Sequence, residues 1–271
     1  MPTSLWRSVN YKTPIRYLIN TYIREYDLSK ANINSLFYMG RITQEEHDAY
    51  LVMDKREREK RIGLWIRNDR SVYKDIQSGI IEAKRRLVHL NGIEDIDVVS
   101  VKNDAMFIVG KELTQTDFPP FHFAVKNVYT IFLQLADLEV YYGDSVDPVT
   151  GSVNTNIDIK GISDENLLLH QGGMLDLICD ACYRLQREDT RDTMKWISEM
   201  YQAYVERRLP KEYYRSFDSS SGYVIKTLVQ TVALGEIDAS MIQYVDINRN
   251  LSILRDLVAI ISDVYRKHNN R

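Results

Sequence analysis

The sequence predicts an α+β protein, an antiparallel sheet with helices followed by a mainly helical C-terminal part. Three observations carry this expectation. Runs such as IRYLINTYIREYDL and FPPFHFAVKNVYTIFLQL mix β-branched and aromatic residues with polar ones, as strands do. Longer stretches, clearest at 71–90, space their apolar residues three and four apart, the repeat of a helix buried on one face. Residues 143–156, GDSVDPVTGSVNTN, are polar and turn-rich. They are expected as a loop separating a first domain, 1–142, from a helical second one, 157–271.

The elements follow in order. A strand is expected over 15–28, ending near Asp27. Ser29 is placed to cap a short helix that Gly40 ends. Thr43 with Glu46 three residues later is a capping box opening a second helix, and the helical pattern continues through DKREREKRIGLWIRN. A third helix carries Val72, Ile76, Ile80, Ala83 and Leu87 at helical spacing, and Asn91-Gly92 stops it. Residues 96–110 read as a hairpin with Asp104 at its polar turn. Strands are expected in 118–135, after a break at Pro119-Pro120, and in 138–143. Three C-terminal helices are expected, over 164–186, 189–209 and 251–268, with a loop leading into a short strand over 209–225.

Composition narrows the function classes. The chain has 271 residues, 44% of them hydrophobic and 27% charged, which is ordinary for a globular protein. Two cysteines are too few for a disulfide framework. No apolar run reaches the roughly 18 residues that span a bilayer, and no signal-peptide core is visible at the N-terminus, so a soluble cytoplasmic protein that does not bind membranes is expected. Tyrosine is common, 18 against 7 Phe and 3 Trp, which suits either amphipathic core edges or an interface with a protein partner or a second copy.

Charge is unevenly spread. Between Lys55 and Arg86 stand eleven Lys and Arg against five Asp and Glu, a net +6 within a chain of net −3. A basic helical pair in an otherwise acidic protein is a candidate surface for phosphates, DNA or RNA. A solvated helix face is the alternative. The like-charged pair Arg56 and Lys60, at i and i+4, costs an isolated helix roughly 0.2–0.5 kcal/mol, which a nearby anion would relieve.

Three segments stand in an order that suits phosphoryl chemistry: EYDLSKANINSL, REREKRIGLWI and VSVKNDAMFI. Two-metal catalysis needs carboxylates from separate strands to converge, with cations to hold the phosphates. Asp27-Leu28-Ser29 followed by Ile33 resembles the first carboxylate motif of family A DNA polymerases, Asp-x-Ser-x-x-x-Ile/Leu. Arg56, Lys60 and Ile62 are similar to that family's fingers helix, Arg-x-x-x-Lys-x-Ile. Residues 102–108, KNDAMFI, fall in register with the family B hairpin Asp-Thr-Asp-Ser-Leu-Phe-Ile, and Asp104 takes the place of its principal metal ligand.

The resemblance implies a reduced polymerase-like palm with short basic fingers-like helices over 1–142. In it Asp27 and Asp104 would ligate Mg²⁺ for nucleotidyl transfer, and Arg56, Lys60, Arg61 and Lys102 would meet the nucleotide's phosphates. The compact layout is similar to that of phage-encoded proteins, which implies the host cytoplasm.

The sequence departs from the family pattern at Lys102, which puts a cation where a metal-facing carboxylate is expected. That favours a rival from another class, a non-catalytic phage-type interaction or assembly protein that keeps the scaffold. Taken singly, Asp104 after Asn103 also reads as turn chemistry, and Asp27 as a helix cap. Cys179 and Cys182, on one helix, lack two further ligands for zinc and read as buried small residues. The aromatic and basic residues of KEYYRSFD suit either base stacking or an interface loop.

Overall fold

The structure, a computed structural model, describes residues 4–146, 153–162, 173–214 and 239–270. The chain forms two compact units: Met1–Pro14 with Tyr22–Val128, and Ile15–Thr21 with Tyr129–Arg271. The α+β class is as the sequence predicts.

In the first unit, β1 (Asn10–Lys12) pairs with β3 (Val98–Lys102), β3 with β4 (Ala105–Val109), and β4 with the later half of β2 (Tyr17–Leu28), all antiparallel. β2 and β3 therefore run parallel with β4 between them, a split β-α-β unit. The other side of β2 neighbours the start of β6 (Phe121–Leu135), where the Ser29 N–H donates to the His122 carbonyl at 2.9 Å. The two-residue strand β5 (Asp117–Phe118) pairs with β6.

Four helices lie between β2 and β3: α1 (Ala31–Tyr38), α2 (Gln44–Val52), α3 (Lys55–Asn68) and α4 (Arg70–Asn91). Tyr26, Leu28, Met106 and Ile108 of the strands are buried in one core with Ile33 and Leu36 of α1 and the predicted stripe of α4. α1 and α4 cross closely at Gly79, where an added Cβ would stand 2.4 Å from Ser35 Cβ. At the other flank of α4, the buried Lys84 Nζ donates to the Ser8 carbonyl at 2.5 Å, holding the 3₁₀ turn Leu5–Arg7.

Local signals account for most helix ends. Thr43 and Glu46 form the expected capping box, and Gly92 closes α4 at φ 57°. Two expectations are corrected. Neither Ser29 nor Asp27 caps α1; its N-cap is Lys30, held at φ 51° with no side-chain cap. The helix that opens at Thr43 does not run on through the basic segment. Met53 is extended, and Asp54 starts α3 afresh by accepting from the Arg56 and Glu57 N–H groups.

In the second unit, the later half of β6 pairs with β7 (Leu138–Val146), and β7 with β8 (Val153–Lys160). The Gln134 N–H donates to the Arg16 carbonyl at 2.9 Å, joining the start of β2 to β6. Among the described residues three helices follow, α5 (Met174–Arg187), α6 (Thr190–Val205) and α7 (Ala239–Asn269). Leu133, Val140 and Ile159 share a core with Leu177, Ile197 and Leu257. Asp256 of α7 accepts from the Ala136 N–H at 2.7 Å and pairs with Arg16 at 3.3 Å, while Tyr17 Oη donates to Asp263 at 2.5 Å.

The expected loop over 143–156 is corrected. Gly143, Asp144, Ser145 and Val146 pair with Asn156, Thr155, Asn154 and Val153, so its flanks are the arms of a hairpin. The chain passes between units at 128/129 rather than at 142. Of the 209–225 segment, Lys211–Tyr214 is a 3₁₀ turn, and the expected strand lies outside the described residues.

Candidate nucleic-acid interface

The two aspartates singled out by the sequence come to the same end of adjacent strands. Asp27, near the end of β2, is register partner to Ala105 of β4, and the Leu28 N–H donates to the Asp104 carbonyl at 3.2 Å. Ala105 is also the partner of Lys102 on β3, so Lys102, Ala105 and Asp27 form one row across the sheet. Side chains alternate along a strand, which puts this row on the face opposite Tyr26 and Leu28. Glu25, two residues before Asp27 and on its face, is buried; it accepts from Asn127 Nδ2 at 2.7 Å and lies 3.7 Å from Lys126 Nζ.

Asp104 is the second residue of the two-residue turn closing the β3–β4 hairpin. Asn103, the first, has φ 51°, the sign that a type II′ turn requires there. Burial pushes the Asp104 carboxyl above its ordinary range; Lys126 and Lys84 act against that shift, and Glu59 of α3 adds to it. Turn chemistry thus explains Asn103, and the partly buried carboxyl sits among charges of both signs.

These surroundings do not fit a Mg²⁺ pair. A two-ion centre needs ionised carboxylates enough to hold both metals. Among the described residues, no group of three or more His, Cys, Asp or Glu side chains is placed to hold a metal ion. Lys126 and Lys84 lie close enough to be felt at the Asp104 carboxyl, where their charges would compete with a metal's. The cysteines of α5 are both free, Cys182 fully buried, and burial raises both thiols, Cys179 to about 11. They are core residues.

The basic segment is sorted by the fold into engaged and available cations. Arg58 is buried, Arg61 pairs with Glu57 at 2.9 Å, and Arg85 and Arg86 share Glu82 at 2.5 and 3.0 Å. Lys84 is buried against Ser8. Arg41, from outside the segment, takes up Asp75 and lies 3.7 Å from Asp69. Lys55, Arg56, Lys60, Arg67, Arg70 and Lys74 remain, all exposed and without an acidic partner among the described residues.

Helix geometry lines up three of these on α3. Arg56, Lys60 and Arg67 stand four and seven residues apart on α3, with Gly63 between them, on the face opposite the buried Arg58 and Ile62. A Cβ added at Gly63 would meet nothing within 4 Å, so that face is open there. Arg70 and Lys74, at i and i+4, are exposed on the first turns of α4. Arg56 and Lys60 are exposed on α3, Arg61 is diverted to Glu57, and Lys102 stands beside Ala105 on the sheet. Arg67, Arg70 and Lys74 were not singled out by sequence, although none has an acidic residue four positions away.

An α+β protein with an open basic helical face, and with two aspartates at neighbouring strand ends, is what the fold and site define. Comparison with protein-family models places it among phage proteins. The family described as Bacteriophage PBS1 gene 130 protein matches residues 1–263, and the chain belongs to that family. The match supports the phage origin implied above and lends nothing to the polymerase resemblance. A search of curated proteins finds no match. Among the described residues, no helix is long and apolar enough to cross a membrane.

Proposed function

We propose that this phage protein binds nucleic acid by its backbone, along α3 and the first turns of α4, without metal-dependent chemistry. The observation that carries the reading is the six exposed cations left without acidic partners among the described residues while their neighbours are paired off. Such a face holds like charges at i and i+4 at a cost that a polyanion removes. Phosphates bound this way release counterions, so affinity falls steeply with salt.

The test is fluorescence anisotropy with a labelled duplex and a labelled single strand over a salt series. Engaging most of the six cations gives a log–log slope of roughly −4 to −5 on duplex. The variant Arg56→Ala/Lys60→Ala/Arg67→Ala is expected to flatten the slope by about 2 to 3, and Arg61→Ala, already engaged by Glu57, to change it little. Absence of binding to either probe at low salt overturns the reading and favours a protein partner.

Nucleotidyl transfer, which rests on the meeting of Asp27 with Asp104, is checked by primer extension with Mg²⁺ or Mn²⁺ and mixed nucleotides. No extension is expected. Extension by the wild type that disappears in both Asp27→Ala and Asp104→Ala would restore the catalytic reading.

A further inference from the structure

We infer that the strand held on this face is single, and that Tyr73 of α4 stacks on one of its bases. This rests on the backbone-binding reading above and adds the class of ligand to it. Tyr73 is half exposed, an open aromatic ring between Arg70 and Lys74, two cations without acidic partners among the described residues. A lone exposed apolar residue is ordinary; one set between unpaired cations has the composition of a single-strand platform, where cations track the backbone and rings take the bases.

Position strengthens the case. Tyr73 and Gln77 are four apart and share a flank of α4. Gln77 Nε2 donates to Asn103 Oδ1 at 3.2 Å, at the tip of the β3–β4 hairpin. The ring therefore stands one helical turn from a polar tip carrying amide and carboxyl groups, which can meet the edges of an unpaired base. A duplex keeps its base faces inside the stack, so it offers Tyr73 nothing to stack on. The ring separates the two ligands where the cations alone do not.

The experiment compares labelled dT20 with a labelled dA20·dT20 duplex at one low salt concentration, using wild type, Tyr73→Ala and Tyr73→Trp. Tyr73→Ala is expected to weaken dT20 binding roughly tenfold while leaving duplex binding within about twofold. Tyr73→Trp retains or tightens dT20 binding. Because the ring is exposed, the variants keep the wild-type melting temperature, which is measured alongside. Unchanged dT20 binding in Tyr73→Ala, or equal losses on both probes, overturns the inference and leaves backbone binding standing. No wild-type binding to either probe overturns both.

Discussion

Gly79→Ala is expected to destabilise the first unit by about 3 kcal/mol, the upper end of overpacking costs. The new methyl would arrive 2.4 Å from Ser35 Cβ and 2.7 Å from Ser35 Cα. The flexible end of a side chain moves aside cheaply; Ser35 Cα belongs to the backbone of α1, so α1 and α4 must part. Alanine's better helix propensity returns at most about 1 kcal/mol. Urea unfolding of wild type and variant measures the difference. A Gly79→Ala protein as stable as wild type would mean that the helices do not cross this closely. Trimming the other side as well, in Gly79→Ala/Ser35→Gly, is expected to recover part of the loss.

Stability is also expected to rise with pH through the ionisation of Lys84. Burial lowers this ammonium from 10.5 to about 8, against a weaker opposing pull from Asp104. Below pH 8 the lysine is charged folded and unfolded, and the full cost of burying the charge is present. Between pH 8 and 10.5 the folded state sheds its proton while the unfolded state keeps it, so the unfolded state binds more protons and stability climbs. The shift corresponds to about 3 kcal/mol in all.

The thiols of Cys179 and Cys182 work the other way above pH 9, because burial raises them in the folded protein. The clean readout is therefore the wild type minus Lys84→Met, followed by chemical unfolding from pH 7 to 10. Wild type should gain on the variant by about 2 kcal/mol over that range. A flat difference would show that Lys84 is not buried against Ser8.

The sequence made some of this legible and hid the rest for physical reasons. The α4 stripe, the Thr43–Glu46 capping box and the Gly92 stop are local patterns with local causes, and each was readable. So was the adjacency of the strand ends that carry Asp27 and Asp104, because a strand, a helical crossover and a hairpin leave few ways to arrange a sheet. Lys30 at positive φ gave no signal, since lysine is not a residue type that marks that region. The 143–156 segment misled by composition: Asn, Thr and Gly suggest turns, while the alternation of Val153, Thr155, Ile157 and Ile159 marks one face of a strand.

The basic face was legible as a charge count and not as a surface. Partners at i−4, such as Glu57 for Arg61, can be read along a helix. The removal of Asp69 and Asp75 by Arg41, and the burial of Lys84 against Ser8, depend on contacts distant in sequence.

The passage of residues 15–21 through the second unit has a consequence for biosynthesis. Tyr17 and Arg16 leave the ribosome more than 200 residues ahead of Asp263 and Asp256 of α7, which they meet in the folded unit. Domains generally fold as units during translation, N-terminal first. Here the order of emergence is not the order of completion. The early strand segment must wait for α7, and pairings this distant in sequence slow folding. Until then its apolar neighbours stay open to nascent-chain chaperones.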